Sequence, residues 1–168
     1  RSFSHIDQLK DFDEYDLNEG IHTTLLITRN YIPDDISIQE SLDSIPLISA
    51  IGGEVNQVIL NLVLNAVYAT NMKNSGEKII NLKTYSNDEY VFFEIMDNGI
   101  GIAKENLNRI FEPFYTTKPV GEGTGLGLSI VYDIVVKKHK GEILVESKTG
   151  EGTRFTVKFP IIQLIHND

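Results

Sequence analysis

The 168-residue sequence contains no cysteine, which excludes disulfides, thiolate metal centres and a cysteine nucleophile. Its four histidines (His5, His22, His139, His166) fall at no metal-ligand spacing. Positive charge is also scarce: 15 Lys and Arg stand against 24 Asp and Glu, giving a formal charge of -9 and a pI near 4.9. That balance argues against a nucleic-acid or anionic-membrane surface, since both need local positive potential. A small anionic ligand then needs local help from backbone N–H groups, a lysine or a metal ion. No apolar run approaches the roughly 20 residues of a membrane span, and the N-terminus lacks the basic-then-apolar plan of a signal peptide. The fragment reads as cytoplasmic, which leaves open a membrane-anchored parent. There is no internal repeat and no low-complexity tract.

What is present is ordinary globular composition, 41% hydrophobic and 23% charged, in a length suited to one domain with a real core. The acidic, aperiodic residues 1–18 read as a linker or domain edge. A helix is expected from Leu17-Asn18, with Ile21, Leu25 and Tyr31 at helical spacing, until Pro33 stops it. Ile36 to Gln39 alternates like a strand, and Ile45-Pro46-Leu47-Ile48 reads as a short edge strand. Glu54 to about Met72 is a strongly apolar helix, followed by a hairpin signal from Lys78 to Tyr85 and Tyr90 to Met96. Asp97 to about Thr124 is a long irregular stretch with one short helix expected at Lys104 to Ile110; such stretches usually serve as functional lids. A helix from about Gly125 to His139 and two alternating strands, 142–146 and 153–159, complete the chain. The sum is an α+β fold, a two-layer α/β sandwich whose mixed sheet of about five strands is covered on one face by about three helices.

Four segments can carry chemistry. Gln57, Asn61 and Asn65 recur at i, i+4 and i+8, placing three carboxamides on one stripe of an otherwise apolar helix. They either cap backbone groups of a neighbouring loop or present hard oxygens to a hydrated Mg²⁺. Asp97-Asn98-Gly99-Ile100-Gly101 is a carboxylate at a strand end followed by two glycines. That string is either plain turn chemistry or an acceptor for the exocyclic amine of adenine, with glycines that let backbone pass close to the ring.

From Gly121 to Gly127 the glycines alternate straight into a helix. Each disfavours helix by about 1 kcal/mol relative to alanine, so their placement suits a loop bent around a phosphate that faces the first N–H groups of the helix. A mobile lid hinge is compatible with the same string. It forms neither Gly-x-Gly-x-x-Gly nor Gly-x-x-x-x-Gly-Lys-Ser/Thr, so Rossmann and P-loop readings fail. In Phe111-Glu112-Pro113-Phe114-Tyr115-Thr116-Thr117-Lys118 the two phenylalanines read as a satellite core under the loop. Lys118 is either a solvated charge or a phosphate clamp.

Taken in order, these segments resemble the N, G1, F and G2 boxes of the sensor histidine-kinase catalytic domain, of the superfamily shared with gyrase and a heat-shock chaperone. Asn61-Leu62-Val63-Leu64-Asn65-Ala66 resembles the N box, Asp97 to Gly101 the G1 box, Phe111 to Phe114 the F box and Gly123 to Leu128 the G2 box, with Gly150-Glu151-Gly152-Thr153 resembling the last glycine motif. The similarity covers about residues 16–160, and Pro113 to Lys118 looks like the nitrogen-regulator and dicarboxylate-sensor branch. The resemblance implies Mg²⁺ and ATP as cofactors under a long lid. Asn61 and Asn65 would hold the metal and, with Lys118, act in catalysis. Asp97, Gly99, Gly101, Ile102, Phe111, Gly123, Thr124, Gly125, Leu126, Gly127, Leu128 and Thr153 would bind nucleotide beside Asn65 and Lys118.

Gyrase-like hydrolases carry a water-activating glutamate where this chain has Asn61, so transfer to a separate nucleophile is implied over hydrolysis. Tyr68 stands where many relatives have a basic residue, which leaves charge neutralisation to Lys118 and the metal. The implied partners are the kinase's own dimerisation hairpin, carrying the acceptor histidine, and a response regulator, with no nucleic acid and no direct membrane contact. Residues 1–16 would be the linker from that hairpin, 17–160 the ATP-binding domain and 161–168 a tail. Two other readings remain: a serine kinase of the anti-sigma-factor type, and a nucleotide-sensing module without turnover.

Overall fold

The computed structural model describes residues 11–118, 125 and 127–163. In chain order these form β1 (Asp13–Tyr15), α1 (Leu17–Thr28), β2 (Ile36–Leu42), β3 (Ile48–Ala50), α2 (Gly52–Asn71), β4 (Lys78–Ser86), β5 (Tyr90–Asp97), α3 (Gly127–Tyr132), β6 (Glu142–Lys148) and β7 (Gly152–Pro160). Five of the strands make one mixed sheet in the order β2-β4-β5-β7-β6. Only β2 and β4 run parallel, and parallel neighbours need a long crossover, here the segment containing α2. The antiparallel pairs β4–β5, β5–β7 and β6–β7 follow from the alternation read in the sequence.

Alternation decides which face is covered. Ile80, Leu82, Val91, Phe93, Ile95, Phe155, Val157 and Phe159 point to one side and are buried. The apolar stripe of α2, Val55, Val58, Ile59, Leu62, Val63, Ala66 and Val67, covers them. The other sheet face is closed by ion pairs and stacked rings, such as Arg154 on Glu146 at 2.8 Å and Tyr85 on Phe92 at 4.7 Å. Asp16 caps α1, its carboxylate accepting from the Glu19 N–H at 3.2 Å.

Three local expectations are corrected. The strand expected at 45–48 forms at Ile48–Ala50 instead and pairs with Asp13–Tyr15 in a separate ribbon; Pro46 has no N–H to give a ladder. The helix expected at 104–110 is a 3₁₀ turn, Lys104–Asn106, prolonged by i→i+3 bonds through Arg109 and Glu112. Asn106 and Asn108 are poor helix formers, and Pro113 disfavours helix in the residue before it. The last helix is α-helical only to Tyr132 and then widens into a π-helix, Asp133–Lys138.

That widening ends on His139, which is fully buried. Its Nε2 accepts from the Ile51 N–H at 3.0 Å, and Nδ1 faces the Ile134 carbonyl at 2.9 Å. Ile51 has only a proton to give, so the ring is neutral and carries its own proton on Nδ1. Phe12 and Phe159 flank it at 5.0 and 5.6 Å. Burial pushes its pKa below the usual value of 6.5. A depressed folded pKa gives stability that is present above the unfolded pKa and is lost as pH falls through 6.5 toward the folded value. Urea unfolding of His139→Gln, compared with the parent between pH 7.5 and 5.5, should show the acid-side loss reduced; an unchanged slope would contradict the neutral buried ring.

Candidate functional site

Asp97 ends β5, the middle strand, in register with Ile80 of β4 and Thr153 of β7. It is only 6% exposed, and Oδ1 accepts the Gly99 N–H at 2.8 Å. Burial pushes its pKa up to about 6, against the lowering effect of the Gly99 and Thr153 backbone N–H groups. No cation contributes to that shift.

The turn after Asp97 is pinned on three sides. Asn98 grips β4, accepting from the Ile79 N–H at 2.9 Å and donating to the Glu77 carbonyl at 2.9 Å. The Ile100 N–H donates to the Ala69 carbonyl on α2 at 3.1 Å, and the Gly150 N–H to the Ile100 carbonyl at 2.8 Å. The Ile102 N–H donates to Ser147 Oγ at 2.8 Å. With the Ser147 proton given to the Gly152 carbonyl at 2.9 Å, the Thr153 hydroxyl, 2.8 Å away, donates to Ser147. Gly101 sits at φ +75 with Lys148 O 2.3 Å from where a Cβ would stand, a place only glycine fills without strain.

Above Asp97 opens a cavity of about 390 Å³. One wall is the second face of α2, with Asn61, Asn65 and Tyr68. Gln57 Nε2 donates to Asn61 Oδ1 at 2.7 Å, and Asn61 Nδ2 donates to the Gly127 carbonyl at 3.1 Å, tying α2 to the first turn of α3. The Asn65 amide lines the cavity and has no hydrogen-bond partner among the described residues. Gly125, Gly127 and Leu128 line the cavity beside Asn61, and Tyr115 to Lys118 line it as well. The middle of the irregular stretch returns to its C-terminal end where the Phe114 N–H donates to the Gly125 carbonyl at 2.8 Å. Both residues have positive φ, 67 and +74. Lys118 Nζ stands 4.4 Å from the centre of the Tyr68 ring.

The cavity thus gathers Asn61, Asn65, Asp97, Gly101, Ile102, Lys118, Gly125, Gly127, Leu128 and Thr153 of the residues expected from sequence. Gly99 lies beneath it, packed against Ala69 and the Asp97 carboxylate. Phe111 does not line it but packs against Tyr132 and Phe155 at 5.7 and 6.4 Å, as a satellite core requires. Phe114, expected in that core, is instead 74% exposed, because its left-handed backbone turns the ring outward. Gly123, Thr124 and Leu126 lie outside the described residues. The sequence reading marks Tyr68 only as a departure and passes over Tyr115. Tyr68 follows Asn65 by three positions and Asn61 by seven, so helical period alone puts it on the same face as the two asparagines.

Chemically, the cavity offers a buried acceptor in Asp97, carboxamides joined to glycine backbone, and the Lys118 ammonium. Asp97 is the one carboxylate among its described lining residues, so nothing on those walls serves as a base near Lys118. The amide oxygens suit Mg²⁺, which takes few protein ligands when phosphates supply the rest. No cluster of three or more His, Asp or Glu side chains exists among the described residues, so an all-protein metal cage does not compete with that reading.

A family model described as histidine kinase-, DNA gyrase B-, and HSP90-like ATPase matches residues 52–163. Sporulation kinase E of Bacillus subtilis (strain 168) is 39% identical over 122 residues, 73% of this chain and 16% of its own length. Sensor histidine kinase ZraS of Escherichia coli (strain K12) is 36% identical over 148 residues, 87% of this chain and 30% of its own. The chain therefore spans less than a third of either curated relative. The nucleotide-free catalytic domain of histidine kinase ThkA superposes with a TM-score of 0.78 at 32% identity, covering 90% of this chain and 96% of that one. ThkA solved in complex with response regulator protein TrrA gives 0.74 at 28%, covering 89% and 42%.

The packing of the turn yields a test by contrast. Gly101→Ala should cost about 2–4 kcal/mol in urea unfolding, from left-handed backbone plus the clash with Lys148 O. Gly53→Ala, an exposed helical position with nothing within 4 Å, should be neutral or stabilising by up to about 1 kcal/mol. Equal effects at the two sites would contradict the tight turn.

Proposed function

The chain belongs to the family of histidine kinase-, DNA gyrase B- and HSP90-like ATPases, and we propose that it binds Mg·ATP and delivers the γ-phosphate to a histidine on a dimerisation segment outside it. From there the phosphate would pass to the receiver domain of a response regulator. The observation that carries this reading is the buried, uncompensated Asp97 in a cavity that Lys118 also lines.

An ionised carboxylate can only accept hydrogen bonds. With its pKa near 6, Asp97 is ionised at neutral pH and suits the exocyclic amine of adenine. Adenine seated there directs the polyphosphate toward Asn65, Lys118, Gly125 and Gly127, the polar groups at the other end of the cavity. Mg²⁺, when bound, would neutralise charge on the phosphate oxygens, and the Asn65 amide oxygen, without a partner among the described residues, is the protein group best suited to it, with Asn61 beside it. Gly125 and Gly127 bring backbone close to the phosphates, and Lys118 adds a point charge.

Among the described residues no carboxylate stands at that end to activate water, which favours transfer to another nucleophile over hydrolysis. The described histidines do not serve: His139 is enclosed on both ring nitrogens, and His22 lies on α1 beside Glu40, outside the cavity lining. Residues 17–160 would be the ATP-binding unit, 1–16 the connector to the acceptor segment and 161–168 a tail. No helix among the described residues is long and apolar enough to cross a membrane; the reading places this unit in the cytoplasm, with any anchor elsewhere in the parent.

The test is to add ATP labelled on the γ-phosphate to the chain alone and to the chain joined to a histidine-bearing dimerisation hairpin. Acid-labile label should appear only in the second preparation. Label on the isolated chain would overturn the reading.

A further inference from the structure

Lys118 and Tyr68 come from different elements yet meet inside the cavity. Tyr68 stands on the same face of α2 as Asn61 and Asn65, and its ring carries Lys118 Nζ at 4.4 Å from its centre. The backbone of Lys118 is held as well, its N–H donating to Thr116 Oγ1 at 3.0 Å. Among the described residues no carboxylate lies within ion-pair distance of Lys118. Both side chains are half-buried.

We propose that Tyr68 is the positioning residue for Lys118: its ring holds the ammonium at the phosphate end of the cavity before nucleotide arrives and keeps it there when the polyphosphate binds. This rests on the Mg·ATP reading above and deepens it. A long lysine stem loses much rotamer freedom when fixed, and the ring removes part of that loss in advance, which tightens binding as any pre-organisation does. A carboxylate partner would also fix the ammonium, but it would neutralise the charge and repel an incoming phosphate. A π face attracts the cation through its quadrupole alone and leaves the full charge available. An aromatic residue at position 68 therefore supplies no charge of its own and acts through Lys118.

The test is calorimetric titration of the chain with ATP and with AMP, both with Mg²⁺, for the parent, Tyr68→Phe, Tyr68→Leu, Lys118→Ala and the double variant Tyr68→Leu/Lys118→Ala. Tyr68→Phe keeps a π face and should bind ATP as the parent does. Tyr68→Leu should weaken ATP about three- to tenfold, the worth of one partly exposed cation–π contact. It should leave AMP, which has no β- or γ-phosphate, within about twofold. The double variant should bind ATP no more weakly than Lys118→Ala alone, since the ring acts only through the lysine. Equal weakening of AMP and ATP by Tyr68→Leu would overturn the proposal and make the ring a wall of the adenine pocket. Additive losses in the double variant would overturn it too, as would failure of Tyr68→Phe to bind like the parent. A parent chain that binds AMP and ATP equally would instead strike at the phosphate end of the site as a whole, and one that binds neither would overturn the nucleotide reading itself.

Discussion

One buried carboxylate, with no cation beside it among the described residues, constrains the rest of the structure. Asp97 is raised to a pKa of about 6 by burial, which against an ordinary value near 3.8 means that ionising it in the fold costs on the order of 3 kcal/mol. With the folded pKa raised, its contribution to stability is fully present below the unfolded pKa and is lost as pH rises through 6. A protein selected for stability alone would place an apolar side chain there. What the fold does instead is surround the carboxylate with backbone: the Gly99 N–H at 2.8 Å, the Thr153 strand alongside, and Gly152, whose Cβ would stand 2.0 Å from Asp97 O. The glycines at 99 and 152 follow from that close approach, Gly101 from the packing of the same turn on Lys148, and the Asn98 and Ser147 bonds fix the turn.

The same helix serves the core and the cavity. Val55, Val58, Ile59, Leu62, Val63 and Ala66 of α2 are buried against the sheet, while Asn61, Asn65 and Tyr68 face the opening. Because core packing tolerates little displacement, the cavity-facing groups are held on a rigid element. The Asn61 bond to the Gly127 carbonyl extends that rigidity to α3. At the far end, the π-helix and the neutral His139 lock α3 to the backbone at Ile51, directly before α2 begins. The two helices are thus joined twice, at Asn61 beside the cavity and at Ile51 away from it.

The sequence revealed those features that repeat locally. The period of α2, the β4–β5 hairpin, the carboxamide stripe and the glycine-rich strings each carry their signal within a few residues. What it concealed depends on distant partners. Asp13–Tyr15 is a strand only because Ile48–Ala50 lies beside it, and no alternation in three residues announces that. The π-helix has the same apolar spacing as an ordinary helical end. Phe111 and Phe114 look alike in sequence, yet one packs on Phe155 and the other is turned out by positive φ. Tyr68 and Lys118 lie far apart in the chain and close over a cavity, so their pairing is visible only in three dimensions.

The central claim is that the Asp97 carboxylate selects a base by accepting from its exocyclic amine. Inosine triphosphate keeps the sugar and phosphates of ATP but presents a carbonyl where adenine has that amine, setting two acceptors against each other. Dissociation constants for the two nucleotides, measured by calorimetry on this chain with Mg²⁺ at pH 7.5, should differ by about 10- to 100-fold in favour of ATP, the worth of one hydrogen bond to a buried charge. Equal affinity for the two would contradict the account.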